Sequence, residues 1–230
     1  MKAERVTIGD VPENVFGMLA DLCLKMKKGV ILPEHLAMFL KKQHSFPFME
    51  RSILFDWQAF FKKYLEISLD LSNLKIPPKQ ESFDRLIIIP EGITPNKIYE
   101  AYVKNFSCWK WTNDLNNAVA HNDREPTKTY AVWVRDTQEA DEENENISAD
   151  RAKERKIQGI TLIERLIFGL KYWDETKTHL DVKNLTICSG SRSSAGGVPS
   201  VNCCGGEVRV DWCFSQLAHS DWRVRTVVSF

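Results

Sequence analysis

The segment Ile76-Pro77-Pro78-Lys79-Gln80 cannot continue a helix, because each proline lacks an amide hydrogen and its ring clashes with the preceding turn. The hydrophobic period changes across this break. On its N-terminal side apolar residues recur at helical spacing over 12–28 (Val15, Leu19, Leu22, Met26), 33–43 (Leu36, Phe39, Leu40) and 49–65 (Trp57, Phe60, Phe61, Tyr64). Pro12 and Pro33 suit first turns, and Gly29 closes the first helix after Lys27 and Lys28. The spacing predicts a helical region over 1–76, of about three helices, joined to a separate domain over 81–230.

Beyond the break the pattern alternates. Strands are expected at 85–89, 108–112, 129–135, 184–188, 199–203, 207–214 and 223–228. Two main helices interrupt them. Thr94 caps the first, with Pro95 in its opening turn and Ile98, Tyr99, Tyr102, Val103 and Phe106 facing inward. Thr161-x-x-Glu164 is a capping box for the second, about 161–177, with Leu162, Leu166, Leu170 and Trp173 in one stripe. The expected class is α+β: a mixed, largely antiparallel sheet with both helices packed on one face. Asp136–Glu145 holds six acids and no base, and Arg151–Lys156 four bases and one acid; such blocks read as a solvated loop and a helix end.

Composition excludes several roles. Lys plus Arg equal Asp plus Glu at 31 each, so no global field draws the chain to nucleic acid or an anionic membrane. No apolar run approaches the ~18 residues of a membrane span. With Met1 as the natural start there is no export signal, and the cytoplasm, with reduced thiols, is the expected compartment. Cys188, Cys203, Cys204 and Cys213 lack the Cys-x₂₋₄-Cys spacing of zinc ligands, and adjacent cysteines on a strand point to opposite faces. No metal or cofactor is implied. Helices 33–43 and 49–65 are too far apart, with Pro47 between them, for a helix-turn-helix.

Alternation sorts each strand by face. Val208, Val210, Trp212 and Phe214 form the apolar side of 207–214, leaving Arg209, Asp211 and Cys213 opposite. With Trp133 and Arg135 these make a mixed second face, able to stack on a flat ring and pair with an anion unless helices or another subunit cover it. The loop Cys188–Gly197 adds Ser189, Ser191 and Arg192, where backbone amides could form an anion nest; a plain hairpin connection is the simpler reading. His121-Asn-Asp123-Arg124 is a polar loop able to hold a base, although no partnered catalytic motif accompanies it.

Phe83-Asp-Arg-Leu with Pro-Glu-Gly-Ile-Thr-Pro95, Cys108-Trp-Lys-Trp111, Tyr130-Ala-Val-Trp-Val-Arg-Asp136, Gly159-Ile-Thr-Leu and Leu185-Thr-Ile-Cys-Ser-Gly-Ser-Arg192 together resemble a set of uncharacterised bacterial and metagenomic proteins. The resemblance spans roughly residues 30–228. It implies an intracellular bacterial protein and brings no activity with it. The residues themselves favour a non-enzymatic binding or interaction protein whose partner is a protein, a second copy in a homodimer, or a small anionic ligand. The alternative is an enzyme or binder acting on a phosphorylated or nucleotide ligand, with Arg135, Arg192 and Arg209 as charge clamps.

Overall fold

The computed structural model describes residues 13–29, 36 and 47–230. Apart from residue 36, the expected helix at 33–43 lies outside them. The helices are α1 (Glu13–Lys27), α2 (Pro47–Leu65), α3 (Pro95–Asn105), α4 (Leu115–Ala118), α5 (Ala149–Glu154) and α6 (Leu162–Thr176). The strands are β1 (Arg85–Ile89), β2 (Cys108–Lys110), β3 (His121–Asn122), β4 (Tyr130–Val134), β5 (Leu185–Ile187), β6 (Ser191–Arg192), β7 (Val198–Cys204), β8 (Glu207–Cys213) and β9 (Trp222–Val224). The chain divides into two compact units, Met1–Trp57 and Gln58–Phe230. Everything that follows concerns the second. Among the described residues no helix is long and apolar enough to cross a membrane.

The class is α+β, with strands paired mostly antiparallel. A five-stranded sheet runs β2-β8-β7-β5-β9, with parallel pairings at its two edges and antiparallel ones within. Two antiparallel pairs, β1-β4 and β3-β6, stand beside it. The C-terminal run links sheets: β9 pairs with β5, and Val228 then exchanges both backbone bonds with Trp133 on β4 (3.0 and 2.8 Å).

Helix α6 touches α3, β1 and β7, and every residue from Leu162 to Lys171 is buried. It starts where the capping box requires. Thr161 Oγ1 accepts from the Glu164 amide at 3.2 Å, and the Glu164 carboxylate accepts from the Thr161 amide at 2.8 Å. Thr94 caps α3 in the same way, accepting from the Lys97 amide. Val103 departs from its expected place: it is 62% exposed, on the outer side of α3.

A helix buried on all sides must bury its polar residues too. Arg165, Asp181 and Arg225 are each no more than 2% exposed. One carboxylate serves two guanidiniums: Arg165 Nη2 lies 2.7 Å from Oδ2, and Arg225 Nη2 2.8 Å from Oδ1. The Thr186 hydroxyl also donates to Asp181, and Arg225 donates on to the Thr137 and Gln138 carbonyls. Burial pushes the Asp181 carboxyl up, but Arg225 and Arg165 together outweigh it and hold it below its ordinary value.

The acidic stretch is half exposed, as a solvated loop would be, yet most of its carboxylates are engaged. Asp136 pairs with Arg85, Asp141 and Glu143 with Arg135, and Glu145 with Arg223, while Glu139 accepts the Lys183 and Asn184 amides. Asp141 is 3% exposed and also accepts the Thr226 amide at 2.7 Å. These carboxylates tie the irregular 136–145 segment to strands distant in sequence.

Removing the shared carboxylate strands two buried cations, so Asp181→Asn is expected to lower stability by about 3–5 kcal/mol in urea unfolding. Because the folded-state value of this acid is depressed, its stabilisation is complete above the ordinary carboxylate value of about 3.9. It is lost as pH falls through the lower folded value. The gap between wild type and variant should therefore be level near neutral pH and close only below about pH 4.

Candidate functional site

Two glycines let backbones meet where the basic cleft forms. The Gly190 amide donates to the Ile160 carbonyl at 3.1 Å, and the Asp123 amide donates to the Gly190 carbonyl at 2.8 Å. A Cβ at Gly190 would stand 2.5 Å from the Gly159 carbonyl oxygen; one at Gly159 would stand 1.7 Å from Ser189 Oγ. No side chain fits at either place without moving its neighbours. The crossing packs the loop after β5 against the segment leading into α6.

The first turn of the loop, at 189–191, has no free amides to form an anion nest. The amides of Ser189, Gly190 and Ser191 donate to the carbonyls of Ile187, Ile160 and Cys188, and Ser193 and Gly196 bond within the following turn. Ser191, fully buried, is structural: its hydroxyl donates to Asn122 Oδ1 at 2.6 Å and accepts the first amide of α6, Leu162, at 2.9 Å. Ser189 and Arg192 behave differently. The Ser189 hydroxyl is buried and has no hydrogen-bond partner among the described residues. Arg192 is steadied by the Ser189 and Ser191 carbonyls, 2.6 and 2.9 Å from Nη1, and no described carboxylate pairs with it.

Both residues line a cavity of about 410 Å³. Three sequence blocks converge there: the 188–192 loop, the polar loop 121–124, and the basic run at the end of α5. The basic run supplies Lys153 and Lys156, both exposed and without a described carboxylate partner. Lys156 ends its helix at φ 58°, in the left-handed region that costs a side-chain-bearing residue about 1–2 kcal/mol. From the polar loop, His121 Nε2 stands 3.8 Å from Asp123 Oδ1, and both side chains are exposed. Arg124 also reaches the wall but is already neutralised. It holds Glu164 through two contacts (2.7 and 2.8 Å) and donates to the Gly159 carbonyl at 2.6 Å. Burial lowers its proton affinity, yet the Glu164 carboxylate more than offsets this.

The side chains expected on one mixed sheet face do not share a surface. Trp133 and Arg135 belong to β4 and its flank, and β4 meets the five-stranded sheet only through the C-terminal run. Arg209 and Asp211 lie on β8, beyond β7 and β5 from the β9 edge, about 14 Å at ordinary strand spacing. The Trp133 indole donates to the Pro77 carbonyl at 2.8 Å. Arg135 is paired with Asp141 and Glu143 and sits 4.3 Å from the Phe83 ring. Arg209 pairs with Glu207.

Cys213, expected on the open face, is buried with Ile147, Ala149, Ala152 and Val198, because α5 covers that end of the sheet. Burial, with Asp211 adding and Arg192 opposing, pushes its thiol up to about 11, so it stays protonated at neutral pH. Trp212 and Phe214, expected inside, are 43% and 55% exposed: β2 pairs only with residues 208–210 and leaves the end of β8 uncovered.

Of the residues singled out from the sequence, then, Ser189 and Arg192 meet at the cleft. Trp133, Arg135, Ser191, Arg209 and Asp211 are engaged elsewhere or apart from it. Lys153 and Lys156 were legible only as a run of like charge, and Asp123 only as part of a polar loop. No protein-family model, curated protein or solved structure matches the chain.

Gly159→Ala is expected to destabilise the protein by about 1–3 kcal/mol, as overpacking does. The loss should be partly recovered in the Gly159→Ala/Ser189→Ala double variant, since the nearest atom is the Ser189 hydroxyl. Thermal unfolding of the four proteins in this cycle measures the coupling.

Proposed function

We propose that this chain binds a small phosphorylated ligand in the cleft between the 121–124 loop, the end of α5 and the 188–192 loop. One observation carries the reading: Lys153, Lys156 and Arg192 reach a single cavity, and none has a carboxylate partner among the described residues. Surplus cations that converge are costly to bring together, and an anion relieves their mutual repulsion. Arg192 gives a planar, pre-oriented donor, and the lysines add mobile point charges, a combination that suits phosphate oxygens. The amides of Ser189, Gly190 and Ser191 are engaged already, so on this reading side chains hold the anion.

Binding fits these residues better than covalent chemistry. Of the cleft hydroxyls, Ser189 has no base hydrogen-bonded to it and Ser229 bonds Gln158 and Phe230, while burial keeps the neighbouring thiols of Cys188 and Cys213 protonated.

The test is calorimetric titration of the full chain with inorganic phosphate and adenosine monophosphate at low ionic strength. The expected result is saturable binding that weakens as salt is added, because the lysines are exposed and screened. Lys153→Ala/Lys156→Ala should weaken it by about tenfold or more, with the melting temperature nearly unchanged, as befits exposed side chains. Arg192→Ala should weaken it further but also loosen the loop it braces. Absence of binding by the wild-type protein at low salt would overturn the reading.

A further inference from the structure

Building on that reading, we infer that the ligand is a phosphate monoester of a hydroxylated compound, a sugar or a ribonucleoside, and that Asp123 is the residue that selects it. The cleft holds one carboxylate that its cations do not neutralise. Asp123 makes no hydrogen bond through its side chain to any described residue, and no described lysine or arginine forms an ion pair with it; the His121 imidazole stands 3.8 Å away. Its backbone is fixed, because its amide donates to the Gly190 carbonyl at the glycine crossing. A carboxylate held at the wall of a phosphate cleft accepts hydrogen bonds and offers none. It repels a second oxyanion and favours a ligand that presents donors beside its phosphate.

Two kinds of donor meet that requirement, hydroxyl and ammonium, and the charge of the cleft separates them. Three cationic side chains face one carboxylate side chain, so the side chains at the wall carry an excess of cations, with Arg124 already paired with Glu164. An ammonium group would add to that excess. A neutral hydroxyl does not. The other polar side chains at the wall, Gln158, Ser189 and Ser229, both donate and accept, as a polyol requires. Size points the same way. A cavity of about 410 Å³ has room for on the order of ten waters, well beyond a lone phosphate. Ile157 and Phe230 give it apolar wall for a carbon skeleton.

The experiment titrates wild-type protein and Asp123→Asn with four probes: inorganic phosphate, pyrophosphate, ribose 5-phosphate and adenosine monophosphate. The wild type should bind one or both esters at least about tenfold more tightly than either inorganic anion. Ribose 5-phosphate as the better ligand would indicate the sugar alone, and adenosine monophosphate the nucleoside. Asp123→Asn should bring ester and inorganic anion to within about threefold of each other while binding pyrophosphate as well as or better than wild type, since a repelling charge is gone. Equal wild-type affinity for phosphate and its esters, or an ester preference that survives in Asp123→Asn, would overturn selection by Asp123 and leave phosphate binding standing. Failure of all four probes would overturn both. The wild-type preference is a readout in its own right and does not depend on the variant folding.

Discussion

The carboxylate of Asp181, shared by Arg165 and Arg225, is the interaction on which the remaining structure depends. It sits where five other parts of the chain meet. Arg165 comes from the central helix, Arg225 from the C-terminal run, Thr186 from β5, and the backbone of Asp181 itself bonds to Gln138 and Cys203. Three charges without access to water tolerate few arrangements. Their desolvation is repaid only when every donor has an acceptor, and here the Thr137 and Gln138 carbonyls take what the carboxylate cannot. The cluster therefore adds little net stability over an apolar core of the same size, but it penalises strongly any packing that separates its members.

That constraint reaches the cleft through the backbone. The carbonyl of Arg225 accepts the Ile160 amide at 2.9 Å, and Gln158 accepts from Val227, so the C-terminal run holds the segment that enters α6. One residue before Arg165, Glu164 closes the capping box, holds Arg124 and accepts from the Tyr130 hydroxyl. A single helix thus anchors two ionic clusters through adjacent residues near its start, one through Arg165 and one through Glu164. The second forms the back wall of the cleft. Rigid backing of this kind lets a ligand bind without ordering the loop first.

The arginines divide by whether their charge is already satisfied. Arg85, Arg124, Arg135, Arg165, Arg223 and Arg225 all hold carboxylates, and their positions are explained by the fold. Arg192 holds only carbonyls. On the sequence Arg135, Arg192 and Arg209 look equivalent, since alternation along a strand says which way a side chain points and nothing about which sheet the strand joins. The basic run reads as a helix end, because two lysines acquire meaning only when Arg192, 36 to 39 residues further along the chain, is folded against them.

What the residues determined alone is local. Thr94, the Thr161/Glu164 box, the helix at Leu162–Thr176, the alternation of β8 as far as Val210, and the opposed faces of Cys203 and Cys204 all follow from contacts within a few positions, where chain geometry leaves little choice. The cleft belongs to the tertiary structure. The Arg124–Glu164 contact spans 40 positions and Arg225–Asp181 spans 44. At such separations the partner of a charge is chosen by packing and register rather than by spacing. The convergence of Lys153, Lys156 and Arg192, which defines the candidate site, emerges only when the end of α5 and the 188–192 loop are folded together.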